Sequence, residues 1–270
     1  MLKVAILLCF LTLVQSQENI DLILDVSNHF LSKSVVIHKN LKNSLKLAKE
    51  VNILGKYVSI QENSGNCNLT NYENVDLQVT QIESNYTLSC LRSRKKTYKG
   101  PWLLFSGLNS INQVLNILKS AKLNFNDEVW VALKNENSFD VFEVYKIFED
   151  TVEQNLIGSW NLEKGLKLTT IPKWYRRGDL KGRHFNVTSL IETPFTSVLK
   201  FNESTGKYDI EGSFPDLLNT LASTMNFTYT LKPPPDNAWG GRQEDGSWNG
   251  MIHLVQNDLV DFGEIFKTPF

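Results

Sequence analysis

An α/β protein in two parts is the fold class that the order of hydrophobic periods predicts. Three observations carry the prediction. Short apolar or β-branched runs alternate with helical spacing from about residue 20 to residue 160, and the same alternation resumes after residue 183. Between them, Lys164 to Gly182 (KGLKLTTIPKWYRRGDLKG) holds Gly, Pro and basic residues in no clear period.

Taken in order, Ile20 to Leu31 and Asn40 to Leu54 repeat apolar residues at helical intervals and predict amphipathic helices. Ser34 to His38 (SVVIH) and Tyr57 to Ile60 are β-branched runs beside them, which predicts strands. Trp102 to Phe105 (WLLF) reads as a strand buried on both faces. Ser110 to Leu118 reads as a helix with Ile111, Val114, Leu115 and Leu118 on one side. Glu128 to Leu133 and Phe139 to Phe148 are further strands, and strand, helix and strand in succession predict a parallel sheet with crossover helices. The second part opens with a strand from Arg183 to Ile191 and a turn at Asn202 to Gly206. Phe214 to Met225 follows as an amphipathic helix, with Ser213 as N-cap and Pro215 in its first turn. Phe227 to Leu231 (FTYTL) alternates as a strand until Pro233 to Pro235 stop it, and Trp248 to Leu259 is a final helix. The expected organisation is therefore an N-terminal α/β region over 17–163, a linker over 164–182 and a second α/β part over 183–270.

Residues 1–16 read as a signal peptide. Lys3 supplies the positive start, Val4 to Val14 the apolar run, and Val14 with Ser16 a cleavage site before Gln17. Eleven apolar-run residues fall short of the ~20 that a spanning helix needs, so the mature chain is expected in the secretory pathway. Cys9 leaves with the signal, and Cys67 and Cys90 remain as one possible disulfide in an oxidising compartment. Closing that loop is worth about 3 kcal/mol in the chain-entropy model. Sequons at Asn68, Asn85, Asn186, Asn202 and Asn226 make N-glycosylation the matching expectation.

Composition and motifs exclude more than they assign. With 28 basic against 29 acidic residues the chain has no field to hold a polyanion, so no nucleic-acid partner is expected. There is no GxSxG, HExxH, phosphate-loop or dinucleotide-loop motif and no CxxC, so neither an enzyme, a cofactor nor a metal is expected. His29, His38, His184 and His253 stand apart from one another in sequence and read as ordinary side chains. Glu244, Asp245, Asp258 and Asp261 read as solvated carboxylates, and Arg92 to Gly100 (RSRKKTYKG) as a basic surface loop. Asp261-Phe262-Gly263 copies a kinase tripeptide with none of its companion motifs. Arg177-Gly178-Asp179 is the adhesion tripeptide, which acts only when both charges stand exposed on a tight loop.

Several stretches in family order resemble the ionotropic glutamate receptor superfamily, and more narrowly the divergent arthropod ionotropic receptors. EVYKI (143–147), IGSW (157–160) and WYRRGDLKG (174–182) are similar to the lead-in before the binding domain. IETPF (191–195) resembles the first binding strand and its loop. EGSFPDLLNTLASTMNFTYTL (211–231), AWGG (238–241) and DGSWNGM (245–251), through VDFG (260–263), follow the family's helix, strand, aromatic loop and second helix. The resemblance implies that 183–270 is the first, incomplete segment of a clamshell ligand-binding domain of periplasmic-binding-protein type. It implies a chemosensory ligand-gated cation channel subunit truncated before the pore, lying on the extracellular side of the plasma membrane. A small chemical ligand and co-receptor subunits of the same superfamily are its implied partners. By the same resemblance Trp239, Glu192 and Phe195 line the ligand cleft, while Trp248 is a buried packing residue. The alternative is a secreted soluble protein, complete as written, that binds a small ligand or acts in adhesion.

Overall fold

The computed structural model describes residues 18–32, 34–38, 44–61, 77–82, 91, 100–204 and 207–263. The chain divides into two compact units, Met1–Pro172 and Lys173–Phe270.

The first unit is built on one eight-stranded sheet. A helix over 18–29 (α1) precedes β1 (Ser34–His38), α2 (Ser44–Ile53), β2 (Tyr57–Gln61), β3 (Leu77–Gln81) and β4 (Trp102–Ser106). Then come α3 (Ile111–Leu118), β5 (Val129–Lys134), β6 (Phe139–Tyr145), β7 (Glu153–Asn161) and β8 (Gly165–Leu168). The sheet order is β2-β1-β3-β4-β5-β6-β7-β8. The first five strands run parallel and the last three join antiparallel. Parallel strands covered on both faces have no solvent side, which is why WLLFS is buried at every position and reads as a continuous apolar run. Leu103, Phe105, Trp130 and Ala132 face a core shared with α1 and α2, while Trp102, Leu104, Val129 and Val131 face Val114 and Leu118 of α3. Ser110 caps α3, its Oγ accepting the Gln113 N–H at 3.4 Å.

Two polar contacts tie the edges of this unit. Asp25 Oδ2 accepts from Trp160 Nε1 at 2.9 Å and from the Leu166 N–H at 3.1 Å, so one α1 carboxylate holds the β7–β8 hairpin. Lys146 leaves β6 and turns its Nζ onto the carbonyls of Lys119, the C-cap of α3, at 2.7 Å and of Glu149 at 2.6 Å. A cation at a helix C-terminus meets the negative end of its dipole. Burial lowers the Lys146 pKa from its ordinary value, against the opposing pull of Asp150 and Glu149.

The second unit contains α4 (Lys173–Arg176), β9 (Arg183–Thr188), β10 (Ser197–Asn202), β11 (Lys207–Glu211) and α5 (Ser213–Met225). It continues with β12 (Phe227–Lys232), α6 (Gly250–Gln256) and β13 (Phe262–Gly263). Its sheet runs β12-β9-β13, all parallel, beside an antiparallel β10–β11 pair. Val187 and Leu231 pack on Phe214 and Leu218 of α5.

α/β architecture thus holds in both units. Residues 164–182, expected as a linker, are ordered and divided between the units: β8 completes the first sheet, and Lys173 to Arg176 opens the second unit as a helical turn. Backbone pairing to β7 makes a strand of GLKL where composition pointed to a loop. The final helix is seven residues rather than Trp248 to Leu259. Ser213 is the first helical residue of α5, not its cap. Gly212 occupies the cap, and loop carbonyls satisfy the helix start.

Candidate ligand-binding site

Strand order in the second unit reverses around β9. β9 is central and first in sequence; the chain crosses through α5 to β12 on one side, then through α6 to β13 on the other. Right-handed crossovers in opposite directions put α5 and α6 on opposite faces. The side chains agree. Val187 meets α5, while Thr188, its neighbour on the other face, lies with Gly263 against Met251 of α6. Such a reversal opens a crevice outside the carboxyl ends of the strands, and ligands of open α/β sheets bind there. Two described loops rise from those ends: 189–196 after β9 and 233–249 after β12.

Glu192 and Phe195 lie on the first loop. Thr196 and Phe195 donate backbone N–H groups to the Glu192 carbonyl at 2.9 and 2.8 Å, and the Glu192 N–H donates to the Thr196 carbonyl at 2.8 Å, closing a tight turn. Ser189 and Thr196, both buried, pair their hydroxyls at 2.8 Å beneath it. The turn in turn caps α5, since the Phe214 N–H donates to the Phe195 carbonyl at 3.1 Å and the Ser213 N–H to the Pro194 carbonyl at 3.4 Å. Gly212 makes this approach possible. It holds φ at +127°, and a Cβ there would run into the Phe195 carbonyl oxygen. Glu192 is exposed and Phe195 half-buried.

Trp239 lies on the second loop, 37% exposed. Its backbone is docked on α6, whose Met251 and Ile252 N–H groups donate to the carbonyls of Ala238 at 3.0 Å and Trp239 at 3.3 Å. Asp236 Oδ2 accepts the Gly250 N–H at 3.0 Å. The two loops meet through one side chain: Asn237 Oδ1 accepts the Ile191 N–H at 3.2 Å, one residue from Glu192 and two from Trp239. The residues named from sequence therefore stand on adjoining loops at the switch point. Asp236, Asn237 and Gly212, which hold those loops, were not named. An Asp-Asn pair after three prolines is a turn signal that was available to find the first two.

Trp248 is half-buried, not buried as expected. Its backbone bridges to Arg242 in a loop hairpin, which holds it outside the helix that begins at Gly250. Arg177 is fully buried, so Arg177-Gly178-Asp179 cannot present opposed charges to an adhesion partner. Asp179 accepts the Lys181 N–H and an Asn226 Nδ2 hydrogen, both at 2.8 Å, and these two bonds hold its carboxyl below the usual carboxylate range. Asp261 accepts the Asn186 N–H at 2.8 Å and leads into β13, so the kinase-like tripeptide is a strand entry. His184 lies between the hydroxyls of Thr228 and Thr230 at 2.9 and 3.0 Å. Among the sequons, Asn186 is an exposed β9 residue, Asn202 ends β10 and Asn226 is the left-handed cap of α5. Cys67, Cys90, Asn68 and Asn85 lie outside the described residues, as do Arg92 to Lys99. Among the described residues no group of three or more His, Cys, Asp or Glu is placed to hold a metal ion, and no helix is long and apolar enough to cross a membrane.

Residues 183–264 match the family model for the ligated ion channel L-glutamate- and glycine-binding site, and residues 68–190 match that for the ionotropic receptor 75a N-terminal region. The chain is 33% identical to human glutamate receptor ionotropic, kainate 1 over 133 residues, covering 42% of this chain and 14% of the receptor. It is 35% identical to kainate glr-3 of Caenorhabditis elegans over 82 residues, covering 30% and 9%. It is 23% identical to mouse delta-2 over 199 residues, covering 72% and 19%. These stretches are thus a small part of each relative's length. Among solved structures, the Drosophila muscle GluRIIB complex with glutamate aligns at a TM-score of 0.27 and 21% identity, covering 30% of this chain and 32% of that one. The two family matches overlap at 183–190 and together span 68–264, so this stretch is similar to ionotropic receptors along its length. The second unit carries a glutamate-receptor-like ligand-binding region.

Proposed function

We propose that this chain is the extracellular, ligand-recognising part of a chemosensory ligand-gated cation channel subunit, with no enzymatic step of its own. Residues 1–16 direct it into the secretory pathway, 17–163 form its N-terminal α/β region, and the part from 183 onward supplies one lobe of a clamshell. A small molecule enters the switch-point crevice, where Trp239 offers an aromatic face and Glu192 and Phe195 line the other loop. Closure on the ligand by the rest of the clamshell biases the channel, and related subunits complete the assembly. The observation that carries the reading is the Ile191–Asn237 hydrogen bond, which supports one site across two loops at the place where open α/β sheets bind ligands. A Cys67–Cys90 disulfide and glycans on Asn68, Asn85, Asn186, Asn202 and Asn226 fit the same compartment.

The test is the full transcript and its product. A continuation past Phe270 with long apolar helices, and agonist-gated cation current when the product is expressed with related subunits, supports the proposal. A stop after Phe270 in every transcript, with a freely secreted product, refutes it.

A further inference from the structure

The loop bearing Trp239 is held at two ends by two neighbouring side chains that perform different tasks. Asp236 works toward the helix: its Oδ2 accepts the Gly250 N–H at 3.0 Å, and its Oδ1 accepts the Ala238 N–H at 3.2 Å. Asn237 works toward the other loop. Its backbone closes the turn after the prolines by donating to the Pro234 carbonyl at 3.0 Å, and its φ of +44° swings the side chain out of the turn. A left-handed φ is disfavoured for most residues and tolerated by Asn. The side chain then spans to the Ile191 N–H.

Close packing makes the Trp239 backbone follow these anchors. Gly240, at φ +129°, leaves so little room that a Cβ there would lie 2.8 Å from Ile252 Cβ. Gly250, at φ +63°, would place a Cβ against the Ala238 carbonyl oxygen. Residues 238–240 are therefore seated on the first turn of α6. The link from that seat to the loop of Glu192 and Phe195 runs through the Asn237 amide. We infer that Asn237 is a positioning residue of the ligand site: its side chain sets the separation between Trp239 and Glu192, while Asp236 anchors the loop to α6. The inference rests on the reading of Trp239 and Glu192 as one site.

The full chain labelled with 5-fluorotryptophan tests it without a ligand, the Trp239 resonance being assigned by Trp239→Phe. Asn237→Ala is expected to move and broaden that resonance while leaving those of the buried Trp102 and Trp160 in place. It should also speed exchange of the Ile191 amide by about two- to tenfold, the scale of one lost hydrogen bond. Asn237→Asp, which keeps an acceptor and tolerates the left-handed backbone, is expected to restore both readouts. Asn237→Gly relieves the backbone but has no acceptor, so it should behave like Asn237→Ala and guards against misfolding of the alanine variant. An unmoved Trp239 resonance in Asn237→Ala, or full restoration by Asn237→Gly, overturns the inference. Failure of the underlying site reading looks different: the fluorine shifts appear as expected, yet Trp239→Ala leaves the agonist response of a complete receptor unchanged.

Discussion

Replacing Gly212 by alanine strikes the joint between the site loop and α5. Gly212 sits at φ 127° and ψ 175°, a region open in practice only to glycine, and an added Cβ would lie 2.9 Å from the Pro194 carbonyl oxygen and nearer still to that of Phe195. Backbone strain of that kind costs about 1–3 kcal/mol. Relieving it by moving residues 194–195 away breaks the bonds that cap α5 from Phe195 and Pro194, each worth about 1 kcal/mol. The expected loss is therefore about 2–5 kcal/mol, a large share of a domain's 5–15 kcal/mol. Hydrogen-exchange mass spectrometry on the full chain reads it locally. Peptides covering 209–225 should exchange faster by about thirty- to five-thousandfold, what 2–5 kcal/mol gives, while peptides covering α3 in the first unit stay protected. Unchanged protection of α5 in Gly212→Ala would refute the claim that the loop after β9 caps this helix.

Asp25→Ala leaves the indole N–H of buried Trp160 and the Leu166 N–H without their acceptor, and the first unit should lose about 1–3 kcal/mol in urea unfolding. Lys146→Met removes the donor to Lys119 and Glu149, a loss of about 1–3 kcal/mol at neutral pH. Its pH signature has a fixed sign. The folded pKa lies below 10.5, so between the two values the unfolded chain binds more protons and Lys146 adds stability as pH rises. The gap between wild type and Lys146→Met should widen through that alkaline window; a constant gap contradicts the burial assignment. Peptide mapping of the non-reduced mature chain should recover Cys67 and Cys90 in one linked pair, and free thiols at both positions would exclude the bond.

Legibility from sequence followed how local each cause was. α3 was readable because its apolar stripe, Ile111, Val114, Leu115 and Leu118, repeats within eight residues. β3 was not, since Gln78 and Thr80 are polar side chains buried within the sheet, and no period separates them from a loop. β7 and β8 were missed for a related reason. Their strands are half-exposed, and Gly158 is required because a Cβ there would strike the Lys167 carbonyl across the hairpin, a constraint set by a partner nine residues away. β6 ends at Tyr145 rather than Phe148 because Lys146 turns away to reach the end of α3. At the site, Trp239, Glu192 and Phe195 came from motif resemblance. The residues that hold them, Asp236 and Asn237, act through Gly250 and Ile191, fourteen and forty-six positions away. Trp248 was misread because its backbone partner, Arg242, lies in the loop before it.

The central claim, that the loops over the carboxyl ends of β9 and β12 form the ligand site, is tested most directly by agonist dose–response of a complete receptor carrying Trp239→Ala. Trp174→Ala, at an exposed indole on α4 away from those loops in sequence, serves as the control. With surface expression equal to wild type, Trp239→Ala should raise the half-maximal agonist concentration by about five- to 150-fold, the range of 1–3 kcal/mol for an aromatic binding contact, and Trp174→Ala should not. Equal potency of Trp239→Ala and wild type would contradict the account.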